Sequence, residues 1–209
     1  MPDRLEMALR DFSYINEQGK EVPFVEKYEQ IASFDKRQPI PDLWEPHWPM
    51  GLAIGLLIGL IGVLLHRSLW KDPNLNGNKT VRIFAGIYQT ITGLSGGILG
   101  SILFFMIYFT NHDVTFGNTN LLLLNPLTLF IGIFGIALIA GNKKALRYND
   151  ILWRIMAITG LTLLFLKIFS IIDQQNQLSI SIILPISVCM GFGSLCIRKW
   201  DRSHKERKQ

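Results

Sequence analysis

Residues 83–109 have the sequence IFAGIYQTITGLSGGILGSILFFMIYF, a run of 27 residues that contains no charged side chain. A helix that crosses the ~30 Å hydrocarbon core of a bilayer needs about 20 mostly apolar residues, because its backbone polar groups must be paired internally. The run is long enough to tilt or to extend beyond the bilayer. It therefore predicts a membrane-spanning helix.

Four further apolar segments lie around this run, and charged residues are concentrated outside them. Residues 50–197 carry 13 of the 37 charged side chains of the chain. This distribution excludes a soluble globular enzyme, a nucleic-acid-binding domain and a disulfide scaffold, and we expect no nucleic-acid partner. The sequence predicts an all-α, polytopic membrane bundle of about five transmembrane helices, at residues 50–65, 83–109, 121–140, 151–172 and 178–197. An alternative is that residues 50–65 are re-entrant, which leaves four spans.

Lys and Arg residues predict the orientation of the bundle. The connections after the second and fourth spans contain no Lys or Arg, whereas the other connections and the tail 198–209 are basic. Cytoplasmic loops carry the excess of basic residues. We therefore expect residues 1–49 to be outside and the basic tail to be cytoplasmic, in the inner (cytoplasmic) membrane of a bacterium. The basic connections contain Arg67, Lys71, Lys79, Arg82, Lys143, Lys144 and Arg147.

Residues 1–49 do not resemble a domain. They contain ten acidic and six basic residues, no signal peptide, and one short amphipathic stretch with Leu5, Leu9 and Phe12 at helical spacing. The apolar surface is too small for an independent core. We interpret residues 1–49 as an exported tail and juxtamembrane linker of an upstream domain that is missing from this chain.

Glycines are concentrated in the first two spans, in rows that allow close helix packing. A homodimer face or a groove for a lipid chain are the alternatives for these rows. The predicted packing glycines are Gly51, Gly55, Gly59, Gly93, Gly96, Gly97 and Gly100. In the fourth span, we expect Arg154 and Lys167 to extend to the membrane interfaces, with an intramembrane site as the alternative. Cys189 and Cys196 are expected to be packing residues.

The connection after the second span is unusually polar and continues into the next apolar run. One interpretation is that its side chains cap the two neighbouring helices. The alternative is an external polar site that recognises a substrate headgroup through neutral donors and acceptors. The candidate residues are His112, Asp113, Asn118, Asn120 and Asn125. No catalytic residue, metal ligand or cofactor is predicted.

The same segment resembles the membrane region of the Lnb-like proteins. A glycine-containing span ends in Thr-x-His (Thr110, His112), Asn-x-Asn-Leu-Leu follows from Asn118, and Asn125-Pro126 opens the next span. The family usually has Pro after the His, where this chain has Asp113. The resemblance covers roughly residues 93–185. It implies an exported domain ahead of the spans, which in the best-known bacterial members is a lipoprotein N-acyltransferase with its own catalytic Cys and His.

The resemblance implies that this chain is a multi-pass membrane module of an Lnb-like protein. It would anchor an exported acyltransferase-type domain and present a lipid substrate to it, without being catalytic alone. Its expected partners are membrane lipids and an exported domain of the same protein or of a partner chain. The alternative function is a stand-alone small transporter subunit or a structural membrane protein.

Overall fold

The structure is a computed structural model, and the chain divides into two compact units. The units are Met1–Trp44 and Glu45–Gln209. Among the described residues, the first unit contains a β-hairpin and the second contains α-helices. The described residues are 9, 11–25, 47–72, 78–110, 117–172 and 174–206.

A short hairpin forms the described part of the first unit. Strand β1 (Ser13–Ile15) pairs antiparallel with β2 (Glu21–Pro23). The side-chain oxygen of Asn16 accepts hydrogen bonds from the backbone N–H groups of Gln18 and Lys20, each at 3.0 Å. An Asn that satisfies the backbone in this way favours a turn. The turn is therefore closed by its own side chain.

Only part of the predicted amphipathic stretch lies within the described residues. Residues 9 and 11 are helical, and Leu5 lies outside the described part. The ring of Phe12 packs edge-on against Phe24 across the hairpin, with 5.7 Å between the ring centroids. Both rings are 56% exposed. The described side chains of this unit therefore enclose no core.

Five α-helices make up the described part of the second unit, which confirms the predicted all-α membrane bundle. Four of the described helices are long and apolar enough to cross a membrane, and one is shorter. The five helices are α1 (Trp48–Lys71), α2 (Lys79–Phe109), α3 (Thr128–Ile139), α4 (Lys143–Ile168) and α5 (Gln177–Glu206).

Helix α1 is a single uninterrupted helix of 24 residues. At 1.5 Å per residue it is about 36 Å long, which exceeds the ~30 Å of a hydrocarbon core. Pro49 lies in its first turn, where a missing N–H costs nothing. The structure therefore contains a continuous helix at residues 50–65 and not a re-entrant segment.

Two helices begin before the apolar runs that predicted them. Helix α2 begins at Lys79 and α4 at Lys143, whereas the apolar runs begin at residues 83 and 151. The side-chain oxygens of Asn78 and Asn142 accept hydrogen bonds from the backbone N–H two residues later, at 2.8 and 3.0 Å. Such N-caps stabilise a first turn irrespective of its hydropathy. The basic residues of these connections are therefore helical.

The third predicted segment differs most from the structure. Helix α3 begins at Thr128, seven residues after the apolar run begins, and Thr119–Leu122 forms a 3-10 helix instead. Pro126 has no N–H to donate, and the N–H of Leu127 binds the side-chain oxygen of Asn125 at 3.0 Å. The 12 residues of α3 are about 18 Å long. The preceding loop must therefore complete this crossing.

Glycines allow two helix pairs to approach closely. Helix α1 packs on α5, and α2 packs on α3. A Cβ on Gly55 would lie 2.8 Å from the carbonyl oxygen of Ser181, and one on Gly93 would lie 2.8 Å from the Cα of Gly132. Gly96 differs, because its Cβ would meet Thr128 at 3.3 Å or more. Of the seven predicted packing glycines, six would bring an added Cβ within 3.0 Å of another part of the chain, namely Gly51, Gly55, Gly59, Gly93, Gly97 and Gly100.

Candidate functional site

The turn before α3 places several polar side chains next to each other. Gly117 has a φ of +69°, a left-handed conformation that favours glycine. The side-chain oxygen of Asn118 then accepts a hydrogen bond from the backbone N–H of Asn120 at 3.0 Å and caps the 3-10 helix. The chain forms this turn because the Asn118 side chain takes the place of a backbone hydrogen-bond acceptor.

Gln174, in the connection between α4 and α5, holds this turn from the other side. Its side-chain oxygen accepts hydrogen bonds from the backbone N–H of Thr119 at 2.8 Å and from the Thr119 hydroxyl at 2.6 Å. Its NH₂ group donates to the side-chain oxygen of Asn118 at 2.8 Å. The NH₂ group of Asn176 donates to the Thr119 hydroxyl at 3.1 Å. We name the loop cluster for its members, Asn118, Thr119, Asn120, Lys167, Gln174 and Asn176.

Two side-chain oxygens of the loop cluster are buried without a partner. Within the described residues, neither Oδ1 of Asn120 nor Oδ1 of Asn176 accepts a hydrogen bond. Asn176 as a whole is 2% exposed. A buried, unpaired acceptor costs about 1–3 kcal/mol. The cluster therefore contains two acceptors that an N–H or O–H donor of a bound molecule would satisfy.

Lys167 brings a positive charge to the loop cluster. It lies in the last turn of α4, and its Nζ donates a hydrogen bond to the backbone carbonyl of Gln174 at 2.7 Å. Its side chain is half-buried. The predicted external site was neutral, because the connection after α2 has no Lys or Arg. The tertiary fold adds a cation from a different helix.

Asn125 lies beside a groove rather than inside the loop cluster. Its side-chain oxygen accepts a hydrogen bond from the N–H of Leu127, the residue before α3, and Asn125 is half-buried. The groove has a volume of about 340 Å³, and both polar and apolar side chains line it. The lining residues are Ser101, Phe104, Leu121, Asn125, Pro126 and Leu127. Leu121 directly follows Asn120, so the groove adjoins the loop cluster.

A second polar region lies within the bundle, and sequence reasoning missed it. The Nδ1 of His66 is 2.8 Å from the carbonyl oxygen of Gly62, so Nδ1 carries a proton. The NH₂ group of Gln89 lies 2.9 Å from Nε2 of His66, and the indole N–H of Trp153 donates to Oε1 of Gln89 at 2.6 Å. An indole only donates, which fixes the orientation of the amide and makes His66 a neutral acceptor.

A buried carboxylate extends this region to α5. Asp150 accepts a hydrogen bond from the indole N–H of Trp70 at 2.9 Å and forms an ion pair with Arg198 at 2.7 Å. The rings of His66 and Trp70 are 5.5 Å apart. Asn149 is fully buried, and its amide has no partner among the described residues. We name the buried network for its members, His66, Trp70, Gln89, Asp150, Trp153 and Arg198.

The helices that carry both polar regions match one family model. The model describes the Lnb transmembrane domain and matches residues 48–202, from the first residue of α1 into the last turns of α5. The chain belongs to the Lnb transmembrane domain family. The match confirms the resemblance seen at residues 93–185 and extends it to all five described helices. No curated protein and no solved structure shows significant similarity to the chain.

The Lnb transmembrane domain brings together two of the five residues that the sequence selected. Asn118 and Asn120 belong to the loop cluster, whereas Asn125 lines the adjoining groove. His112 and Asp113 lie outside the described residues. Lys167 was selected from the sequence separately, as an interface residue or part of an intramembrane site. Gln174 and Asn176 were not selected, because they are distant in sequence from Asn118.

Arg154, Cys189 and Cys196 lie on parts of α4 and α5 that are separate from the loop cluster. Arg154 donates to the Gly191 carbonyl at 3.3 Å and to the Ser194 hydroxyl at 3.2 Å. Cys189 packs against the Gly59 position, and Cys196 is exposed. Among the described residues, no group of three or more His, Cys, Asp or Glu could hold a metal.

Proposed function

We propose that this Lnb transmembrane domain anchors an exported acyltransferase-type domain and presents a lipid to it at the loop cluster. The observation that carries the proposal is that the loop cluster has two unpaired buried oxygens, on Asn120 and Asn176, and that Asn120 directly precedes Leu121 of the groove. A lipid has the matching division into a polar end and an acyl chain. The acyl transfer itself would be catalysed by the exported domain.

The groove and the loop cluster offer different contacts to a lipid. Phe104, Leu121 and Leu127 supply apolar wall for a chain, while Asn125 and Ser101 supply polar atoms at the rim. Buried oxygens without donors favour a ligand that carries N–H or O–H groups. Lys167 adds an ammonium group beside them. A lipid with hydroxyl or amine groups near its ester region would satisfy these contacts.

Presentation to an exported domain requires the loop cluster to be on the external side of a bacterial inner membrane. The alternation of basic and non-basic connections supports this orientation. Reporter fusions after Asn118 and Asn176 should be active outside, and fusions after Gly77, Lys144 and His204 should be active inside. Two reversals among these five fusions would contradict the proposed orientation.

A photoreactive amino acid tests lipid presentation directly. Introduced at Asn118 of the full chain in cells, it should capture a lipid or an exported protein domain, which mass spectrometry identifies. The same amino acid at Lys144, an exposed residue at the start of α4, is the control and should capture neither at a comparable level. Capture of only the chain's own residues at position 118 would contradict the proposal.

The groove can be tested separately from the loop cluster. A phospholipid with a photoreactive acyl chain should label groove residues in the purified protein. The substitution Leu121→Trp would fill the groove and should reduce that labelling several-fold, whereas Leu161→Trp, on an exposed face of α4, should not. Equal labelling of all three proteins would exclude the groove as the lipid site.

A further inference from the structure

One face of α4 carries a column of charged side chains at the end where the helix begins. Lys143, Arg147, Asp150 and Arg154 follow each other at intervals of four, three and four residues, which places them on the same face. Arg198 of α5 lies opposite and binds Asp150. These five residues, with Leu146 and Ile151, line a pocket of about 280 Å³.

The positive charge of this pocket is mostly uncompensated. Its single carboxylate, Asp150, is already bound to Arg198 and to the indole of Trp70. Arg154 donates to neutral acceptors on α5. In the part of the chain that the structure describes, neither Lys143 nor Arg147 forms an ion pair. Four cations therefore face one carboxylate, and the pocket is suited to an anion.

The pocket runs along α4 from its first residue into the predicted membrane span. Arg154 lies eleven residues after Lys143 on α4, about 16 Å along the helix axis, and is the fourth residue of the predicted span 151–172. Basic residues that only set orientation need to face water, whereas Arg154 is half-buried within the bundle. Ile151 lines the pocket and is 42% exposed. The cationic wall therefore continues into a surface that contacts acyl chains.

We propose that this pocket binds the phosphate of an anionic phospholipid. The Arg and Lys side chains would bind the phosphate oxygens, and Leu146 and Ile151 would contact the glycerol and the upper part of the acyl chains. The site is separate from the loop cluster and does not depend on the proposed function. It also holds for either orientation of the bundle.

Native mass spectrometry of the delipidated full chain measures this binding. Phosphatidylglycerol should bind about tenfold more tightly than phosphatidylcholine. The double variant Lys143→Gln/Arg147→Gln changes two exposed pocket residues and should abolish most of that preference. The matched control Lys144→Gln/Lys199→Gln removes the same charge from exposed residues that do not line the pocket, and it should retain the preference.

Three outcomes would overturn the proposal. Equal affinity of the wild-type chain for both lipids would overturn it, and so would an equal loss in the two double variants, which indicates general surface attraction. Competition with inorganic phosphate distinguishes a lipid from a soluble anion as the ligand. If it competes with phosphatidylglycerol at equal concentration, the site recognises free phosphate and not a lipid. Unchanged thermal unfolding of both variants without lipid shows that the fold is intact.

Discussion

The buried network and the loop cluster are each organised around a glutamine, but the two glutamines have different surroundings. Gln89 is 1% exposed and joins α2 to His66 on α1 and to Trp153 on α4. Gln174 is half-buried and joins a connecting segment to Asn118 and Thr119 in a turn. The first glutamine therefore links three helices, whereas the second positions a loop.

Because of this difference, we expect the buried network to contribute to the stability of the bundle and the loop cluster to contribute to lipid binding. Both ends of the Gln89 amide are paired with neighbouring helices, so its loss affects the packing of the bundle. In the loop cluster, by contrast, two amide oxygens are unpaired among the described residues, on Asn120 and Asn176, whereas the unpaired groups at the buried network are Nε of Arg198 and the amide of the neighbouring Asn149. Unsatisfied buried groups have a stability cost and need another explanation, such as ligand binding. We expect substitutions in the buried network to unfold the protein and those in the loop cluster to change lipid binding.

The largest effect is expected for Asp150→Leu. This change leaves the Arg198 guanidinium and the Trp70 indole without their acceptor. The buried indole donor loses its acceptor at a cost of about 1–3 kcal/mol, and the Arg198 side chain, which is 35% exposed, adds about 0–1 kcal/mol. The free energy of unfolding, measured by SDS titration in mixed micelles, should fall by this amount.

Asp201→Leu provides the matched control for Asp150→Leu. Asp201 pairs with Lys71 at 3.7 Å, and both side chains are about one-third exposed. An exposed pair contributes about 0–1 kcal/mol. Equal losses for the two variants would mean that the buried network does not determine stability more than the surface does.

The two glutamines give the next largest contrast. Gln89→Leu leaves Nε2 of His66 and the indole N–H of Trp153 unpaired in the interior, and should cost about 2 kcal/mol. Gln174→Leu should cost about 1 kcal/mol, because its partners are less buried. The same SDS titration measures both. A larger loss for Gln174→Leu would reverse the comparison.

Lys167→Met should have a smaller effect on stability and a larger one on lipid capture. The substitution keeps the apolar stem but removes the hydrogen bond to the Gln174 carbonyl, a loss of about 1 kcal/mol. Photochemical capture from position 118 should fall several-fold. Lys167→Arg retains a charged donor and should restore part of the capture. Undiminished capture in the Lys167→Met variant would show that Lys167 does not contribute to the proposed lipid site.

The smallest expected effects concern the polar side chains of the turn before α3. Asn125→Leu removes the acceptor for the N–H of Leu127 and should cost about 1 kcal/mol, as for other single hydrogen bonds. Asn118→Ala removes the acceptor for the Asn120 N–H and the Gln174 amide and should cost no more than about 1 kcal/mol, whereas His112→Ala should leave the thermal unfolding in detergent nearly unchanged. Both should reduce the activity of the protein with the exported domain that we propose. A neutral Asn125→Leu together with an unfolding His112→Ala would contradict this assignment.

Hydropathy predicted the bundle because the bilayer imposes one strong requirement, a long apolar run for each crossing helix. It could not place the start of α3, since Asn125 and Pro126 override an apolar run through local hydrogen bonding. Nor could it pair Asn118 with Gln174, which depends on the tertiary fold. Gln89 was detectable in principle, because an amide in the uncharged run 83–109 needs a protein partner.

The two glycine-packed helix pairs form at different times during synthesis. Helices α2 and α3 are consecutive, so Gly93 can meet its partner as soon as α3 has left the ribosome. Helix α1 packs on α5, which is the last of the described helices to be made. Until then the surface around Gly51 and Gly55 has no permanent partner. Acyl chains cover this surface until α5 is made, so the α1–α5 pair forms later than the α2–α3 pair.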